Sequence, residues 1–136
     1  MAWAIQASAA LVYISVERGR RPVAESTFDY EVLTGLAPEL TLTTPDGADE
    51  RLSEPRGRAR LIHFWATWCP PCREELPGLL LAGRELAPEG PFEVVAVSLD
   101  ADWQSVSEFF GGKIPTEVFR DDGEGATAYG VSMLPD

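Results

Sequence analysis

The chemistry of this chain starts from two cysteines separated by two prolines, Trp68-Cys69-Pro70-Pro71-Cys72, and there are no others in the sequence. Two thiols at this spacing can interconvert with a disulfide. Where a strand passes into a helix, the first cysteine of such a pair sits among amide N–H groups that lack intrahelical partners, which favours its thiolate. A helix terminus contributes about 0.3–1 kcal/mol, up to about 2 in partly buried geometry, and one pKa unit is worth about 1.36 kcal/mol. The dipole alone therefore lowers a thiol pKa by roughly one unit at most. Larger drops need direct S to N–H hydrogen bonds and the neighbouring thiol. This predicts Cys69 as the nucleophile and Cys72, one turn on, as the thiol that resolves a mixed disulfide. Pro70 and Pro71 stiffen the loop and remove two N–H donors, so the predicted perturbation of Cys69 is mild. A purely structural Cys-x-x-Cys bridge is the plainer alternative.

The remaining composition narrows the chemistry further. Two cysteines are too few for the disulfide framework of a small secreted domain. Structural zinc wants four Cys or His ligands, and His63 is the sole histidine, so neither a metal nor a cofactor is expected. A net charge of −11 with no Lys/Arg cluster downstream of Arg21 argues against a nucleic-acid partner. At 136 residues the chain has room for one compact domain and a short extension.

The elements that must position the dithiol are those of an α/β domain. Arg60 to Trp65 is a continuous apolar run broken only by His63, which predicts a central strand covered on both faces. Ala66 to Trp68 form a loop, and Leu76, Leu79, Leu80, Ala82 and Leu86 recur at helical spacing from Pro70 to about Leu86, with Pro77 expected to kink the helix. Upstream, Leu40 to Thr43 and Glu50 to Leu52 flank the turn Pro45-Asp46-Gly47 as a hairpin. Downstream, the pattern predicts a strand from Phe92 to Leu99, a helix from Ala101 to Phe110, a strand from Pro115 to Arg120 and a short helix from Ala126 to Tyr129. Val131 to Pro135 then leads toward a further strand.

Residues 1–22 read as an N-terminal hydrophobic anchor or signal-like segment, 23–38 as a linker and 39–136 as the domain. The apolar run to Val16 spans only about 24 Å as a helix, short of a bilayer core of about 30 Å, and its basic cluster lies on the C-terminal side. A helix packed on the domain is the alternative.

The stretch from Leu61 to Pro77, Leu-Ile-His-Phe-Trp-Ala-Thr-Trp-Cys-Pro-Pro-Cys-Arg-Glu-Glu-Leu-Pro, resembles the membrane-anchored, TlpA-like and ResA-like branch of the thioredoxins. The resemblance extends back through Leu52-Ser53 and Arg56-Gly57 and forward to Tyr129-Gly130-Val131 and Leu134-Pro135, covering about residues 36–136. It implies a thioredoxin-like fold with an N-terminal β-hairpin, and an extracytoplasmic, periplasmic enzyme that reduces disulfides of client proteins and is recharged by an upstream dithiol electron donor.

The resemblance also implies site roles. Pro135, preceded by Leu134, falls where the family keeps a cis-proline beside the dithiol, and the backbone of Leu134 would pair with the client. Trp68 and Pro70 would belong to the docking surface. Glu75 matches a glutamate that transfers protons or tunes thiol pKa values, against the plain reading of a solvated helix carboxylate. His63 departs from the aspartate or asparagine usual at its position, and its plain reading is a hydrogen-bonded core residue. Buried and neutral, it could instead accept a proton from Cys72. Trp65 reads as core, Arg73 as a solvated helix residue, and Met133 as packing or docking.

After the cis-proline position the family continues with two strands and a helix that this sequence lacks, so the fold is expected to be truncated there. A strand-exchanged dimer is one way to complete the sheet. A dithiol oxidase or isomerase, differing only in redox poise, and a non-enzymatic docking or metal-handling module are the rival functions.

Overall fold

The computed structural model describes residues 36–52, 57 and 59–134, so the anchor and linker readings for residues 1–35, and the cis-proline reading for Pro135, lie outside the described residues. Strands β1 (Leu40–Thr43) and β2 (Asp49–Leu52) form the predicted hairpin, with Leu40 opposite Leu52 and Thr43 opposite Asp49. Its turn is closed by reciprocal bonds between Thr44 and the Gly47–Ala48 segment, and Gly47 supplies the left-handed φ of 83°. Leu40 and Leu42 alternate inward and are buried, while Thr41 between them faces solvent. That alternation is the two-residue period of a strand with one wet face.

Strands β3 (Ala59–Trp65), β4 (Phe92–Ser98) and β5 (Val118–Arg120) complete one mixed sheet in the order β2-β1-β5-β4-β3. β3 and β4 run parallel over all seven residues, from Ala59 opposite Phe92 to Trp65 opposite Ser98. β5 lies parallel to β4 and antiparallel to β1. The apolar run of β3 is buried on both faces, but among the described residues it pairs only with β4 and stands at the sheet margin, not at its centre. Hydrophobicity reports what covers the faces of a strand and is silent about its lateral neighbours.

Helix α1 (Pro70–Leu86) begins and ends where the spacing predicts, and it continues through Pro77. Its inner face is Cys72, Leu76, Leu79, Leu80 and Gly83. Leu76 and Leu80 join Trp65, Val94, Ala96 and Val118 in one apolar layer, to which helix α2 (Trp103–Phe109) adds Val106. The opposite face of the sheet packs Ile62, Phe64, Val95, Val97 and Phe119 against Ala126 and Tyr129 of the α3 region, where α3 spans Glu124–Ala128. Full burial of each such aliphatic or aromatic side chain is worth about 1.5–3 kcal/mol.

Several boundaries differ from expectation, among them that of α3, which starts at Glu124 and not at Ala126, and three of them have a clear local reason. α2 starts at Trp103, not Ala101, because Asp102 is its N-cap and accepts from the Ser105 N–H at 2.9 Å. β5 begins only at Val118, because its N–H turns back to the Pro115 carbonyl at 3.1 Å. Residues 131–134 bend instead of entering a strand: Gly130, at φ 73°, ends α3 with Val131 N–H donating to Ala126 and Gly130 N–H to Thr127.

Candidate active site

Cys69 is the N-cap of α1, in extended conformation, and Pro70 and Pro71 occupy the first two helical positions, where a missing N–H costs least. The first helical N–H left in that turn is therefore that of Cys72, while Arg73 N–H returns to the Cys69 carbonyl at 3.2 Å. Cys69 and Cys72 form a disulfide with Cα atoms 5.3 Å apart. Cys72 is fully buried and Cys69 retains 5% of its surface. The opening at Cys69 is narrower than a freely accessible nucleophile suggests, because the residue is part of the apolar layer with Trp65, Ala66 and Leu76.

His63 is 1% exposed, and neither ring nitrogen has a hydrogen-bond partner among the described residues. Its β3 neighbours Leu61 and Trp65 both face the layer that holds Cys72, so strand alternation puts the imidazole on that side of the sheet. Burial lowers its pKa to about 4, so the ring is neutral at physiological pH. The hydrogen-bonded core histidine of the plain reading is not what the structure has: the side chain is core, but unsatisfied.

Glu75 is half-buried on α1 between exposed Glu74 and buried Leu76, with no hydrogen bond or ion pair among the described residues. Trp68 projects into solvent at 67% exposure and Pro70 is exposed beside it. Leu134 is half-buried and packs against both apolar layers, bringing the end of the described chain to the one that contains the dithiol. Met133 is exposed. Trp65 is core, its ring 5.3 Å from that of Phe109 and 5.8 Å from Phe110. Arg73 is exposed yet not simply solvated, since its guanidinium lies over the Phe109 ring at 5.7 Å.

Sequence reasoning missed a polar network behind the dithiol loop. The Asp100 carboxylate, 4% exposed, accepts from Thr67 N–H at 2.9 Å, from Thr67 Oγ1 at 2.6 Å and from Ser98 Oγ at 2.8 Å. An aspartate between a strand and a helix reads as an N-cap, and with Asp102 two positions on, nothing in the sequence says which of the two caps and which turns inward. Among the described residues no three His, Cys, Asp or Glu side chains gather as metal ligands, and no helix is long and apolar enough to cross a membrane.

Residues 34–135 match the AhpC/TSA family. The chain is 34% identical over 105 residues to the thiol-disulfide oxidoreductase ResA of Geobacillus thermodenitrificans, covering 73% of this chain and 58% of that protein. The chain thus spans less than two thirds of the length of the curated relative it matches. Among solved structures, a Chlorobium tepidum protein described as a candidate thiol:disulfide interchange protein DsbE is 34% identical, with a TM-score of 0.62 over 73% of this chain and 70% of that one. A secreted Mycobacterium tuberculosis disulfide oxidoreductase homologous to Escherichia coli DsbE is 25% identical, with a TM-score of 0.58 over 71% of each chain. The α/β sheet described above is thioredoxin-like.

Proposed function

This chain belongs to the AhpC/TSA family and has a thioredoxin-like fold, and from that premise we propose that it is a thiol-disulfide oxidoreductase that reduces disulfides of client proteins through the Cys69–Cys72 couple. The observation that carries the reading is the disulfide itself: two cysteines joined across the first turn of α1, one at the N-cap and at the edge of burial, the other sealed beneath it.

In the reduced protein, Cys69 thiolate attacks a client disulfide; a Cys69–client bond forms and one client thiolate leaves. Cys72, once deprotonated, attacks Cys69 Sγ; the Cys69–Cys72 disulfide forms and the second client thiolate leaves. Two electrons pass to the client, and an upstream dithiol restores the pair. His63 is the proposed acceptor for the Cys72 proton. With a pKa of about 4 it is a weak base, so the transfer depends on attraction between the new imidazolium and thiolate in a dry site. Glu75 is the proposed proton-transfer group nearer solvent, and Trp68, Pro70, Leu134 and Pro135 the surface that receives the client. The secreted M. tuberculosis relative supports an extracytoplasmic setting, and the apolar run in residues 1–22 is the proposed tether. A strand-exchanged dimer would place a second chain along the side of β3 that pairs with no strand among the described residues.

Insulin reduction that disappears in Cys69→Ser tests the reading, and activity retained by that variant would overturn it. Equilibration against a glutathione series ranks reductase against oxidase or isomerase.

A further inference from the structure

The segment between β3 and α1 is tied down at three successive points. The Trp65 carbonyl accepts from Leu99 N–H at 2.9 Å, Thr67 gives both its N–H and its hydroxyl to Asp100, and Cys69 N–H returns to the Ala66 carbonyl at 3.1 Å. Asp100 is itself immobilised. Ser98 Oγ donates to its carboxylate and accepts from its N–H at 3.0 Å, and Arg120 from β5 donates to the Asp100 carbonyl at 3.3 Å and the Ala101 carbonyl at 3.0 Å. All three donors to the buried carboxylate are neutral, and the nearby guanidinium addresses the main chain instead. Taking a carboxylate out of water is costly unless its lone pairs are filled, so the site is built around the loop that fills them. What the anchored loop carries outward is Trp68, a large apolar side chain left 67% exposed directly beside Cys69.

We propose that Asp100, acting through Thr67, is a positioning residue that fixes Trp68 for docking of protein disulfides, so that it sets discrimination between protein and small-molecule disulfides without touching the reacting sulfurs. The inference rests on the thiol-disulfide reading of the site. A loop already anchored through Thr67 leaves less to be ordered around Trp68 when a client arrives, which lowers the entropic cost of docking, whereas a small disulfide needs only Cys69.

Thr67→Val keeps the shape of the side chain and removes the hydroxyl donor; Thr67→Ser restores it. Rates are measured for insulin and for a small aromatic disulfide, in the wild type, in both variants, and in Trp68→Ala with and without Thr67→Val. Thr67→Val is expected to slow insulin reduction roughly five- to twentyfold and the small disulfide less than about twofold, with Thr67→Ser close to wild type. In the Trp68→Ala background Thr67→Val should cause no further loss on insulin, since the two act as one unit. Equal losses on both substrates, or additive losses in the double variant, would overturn the proposal while leaving the redox reading intact. A wild-type protein inert toward both disulfides would instead remove the redox reading and this inference with it.

Discussion

A Cβ placed on Gly83 would lie 2.5 Å from Cγ2 and 3.1 Å from Cβ of Val94, so helix α1 and strand β4 meet where only glycine fits. Val94 is β-branched and 6% exposed, with little room to turn away. The helix that carries Cys69 and Cys72 is therefore seated on the sheet by backbone contact at its far end. Gly83→Ala gains helix propensity of about 1 kcal/mol but must move the helix or the valine, at a typical cost of about 1–3 kcal/mol or more. Net destabilisation is expected in a denaturant titration, and the cost of Gly83→Ala should be smaller in a Val94→Ala background than in the wild type. A neutral single variant would show that the contact yields freely.

The two cysteines should fail differently. Cys69→Ser is expected to lower client reduction at least about a hundredfold, since no thiolate remains to attack, whereas Cys72→Ser should accumulate a mixed disulfide between Cys69 and client. Mass spectrometry of the trapped species distinguishes them, and accumulation on Cys72 in the Cys69→Ser protein would reverse the roles.

His63 makes stability depend on pH in a defined direction. Its pKa is about 4 in the fold against an ordinary value of 6.5, so between those values the unfolded chain binds the extra proton. Its neutral form leaves the fold unburdened above pH 6.5, and stability falls as pH drops from 6.5 toward 4, by on the order of 3 kcal/mol once the ring is charged in both states. His63→Asn should lack this component, seen as the difference between the two proteins' denaturant midpoints across that range. The same variant should slow resolution by Cys72 more than attack by Cys69; equal slowing of both steps would sink the proton-acceptor role.

Glu75 lies three residues after Cys72 on α1, about 5–6 Å away between Cβ atoms by helix geometry, and has no competing partner among the described residues. Removing its charge in Glu75→Gln should favour the thiolate and move the pH dependence of disulfide reduction downward, by about one unit or less. An unchanged profile would return Glu75 to the status of a solvated helix carboxylate.

The parts of this molecule that sequence discloses are those governed by local rules. Pro70-Pro71 after Cys69 and the spacing of Leu76, Leu79 and Leu80 delimit α1, and Pro45-Asp46-Gly47 delimits the hairpin. What sequence conceals is tertiary. That β3 lies at the margin of the described sheet depends on which strands pair, which its own residues do not encode. That Arg73 covers Phe109, and that Asp100 turns inward to Thr67 while Asp102 caps α2, depends on where loops from distant parts of the chain converge. At the site, the dithiol is plain from its spacing, whereas the unsatisfied imidazole of His63 appears only once its neighbours are known.

Cys72 has no surface and Cys69 a thin crescent of it. A small alkylating probe applied briefly to the reduced, native protein would accordingly count one sulfur, and two after the chain is opened by denaturant. The ratio of those counts is a gauge of intactness that needs no substrate and would register loosening of the layer over Cys72 before any change in secondary structure.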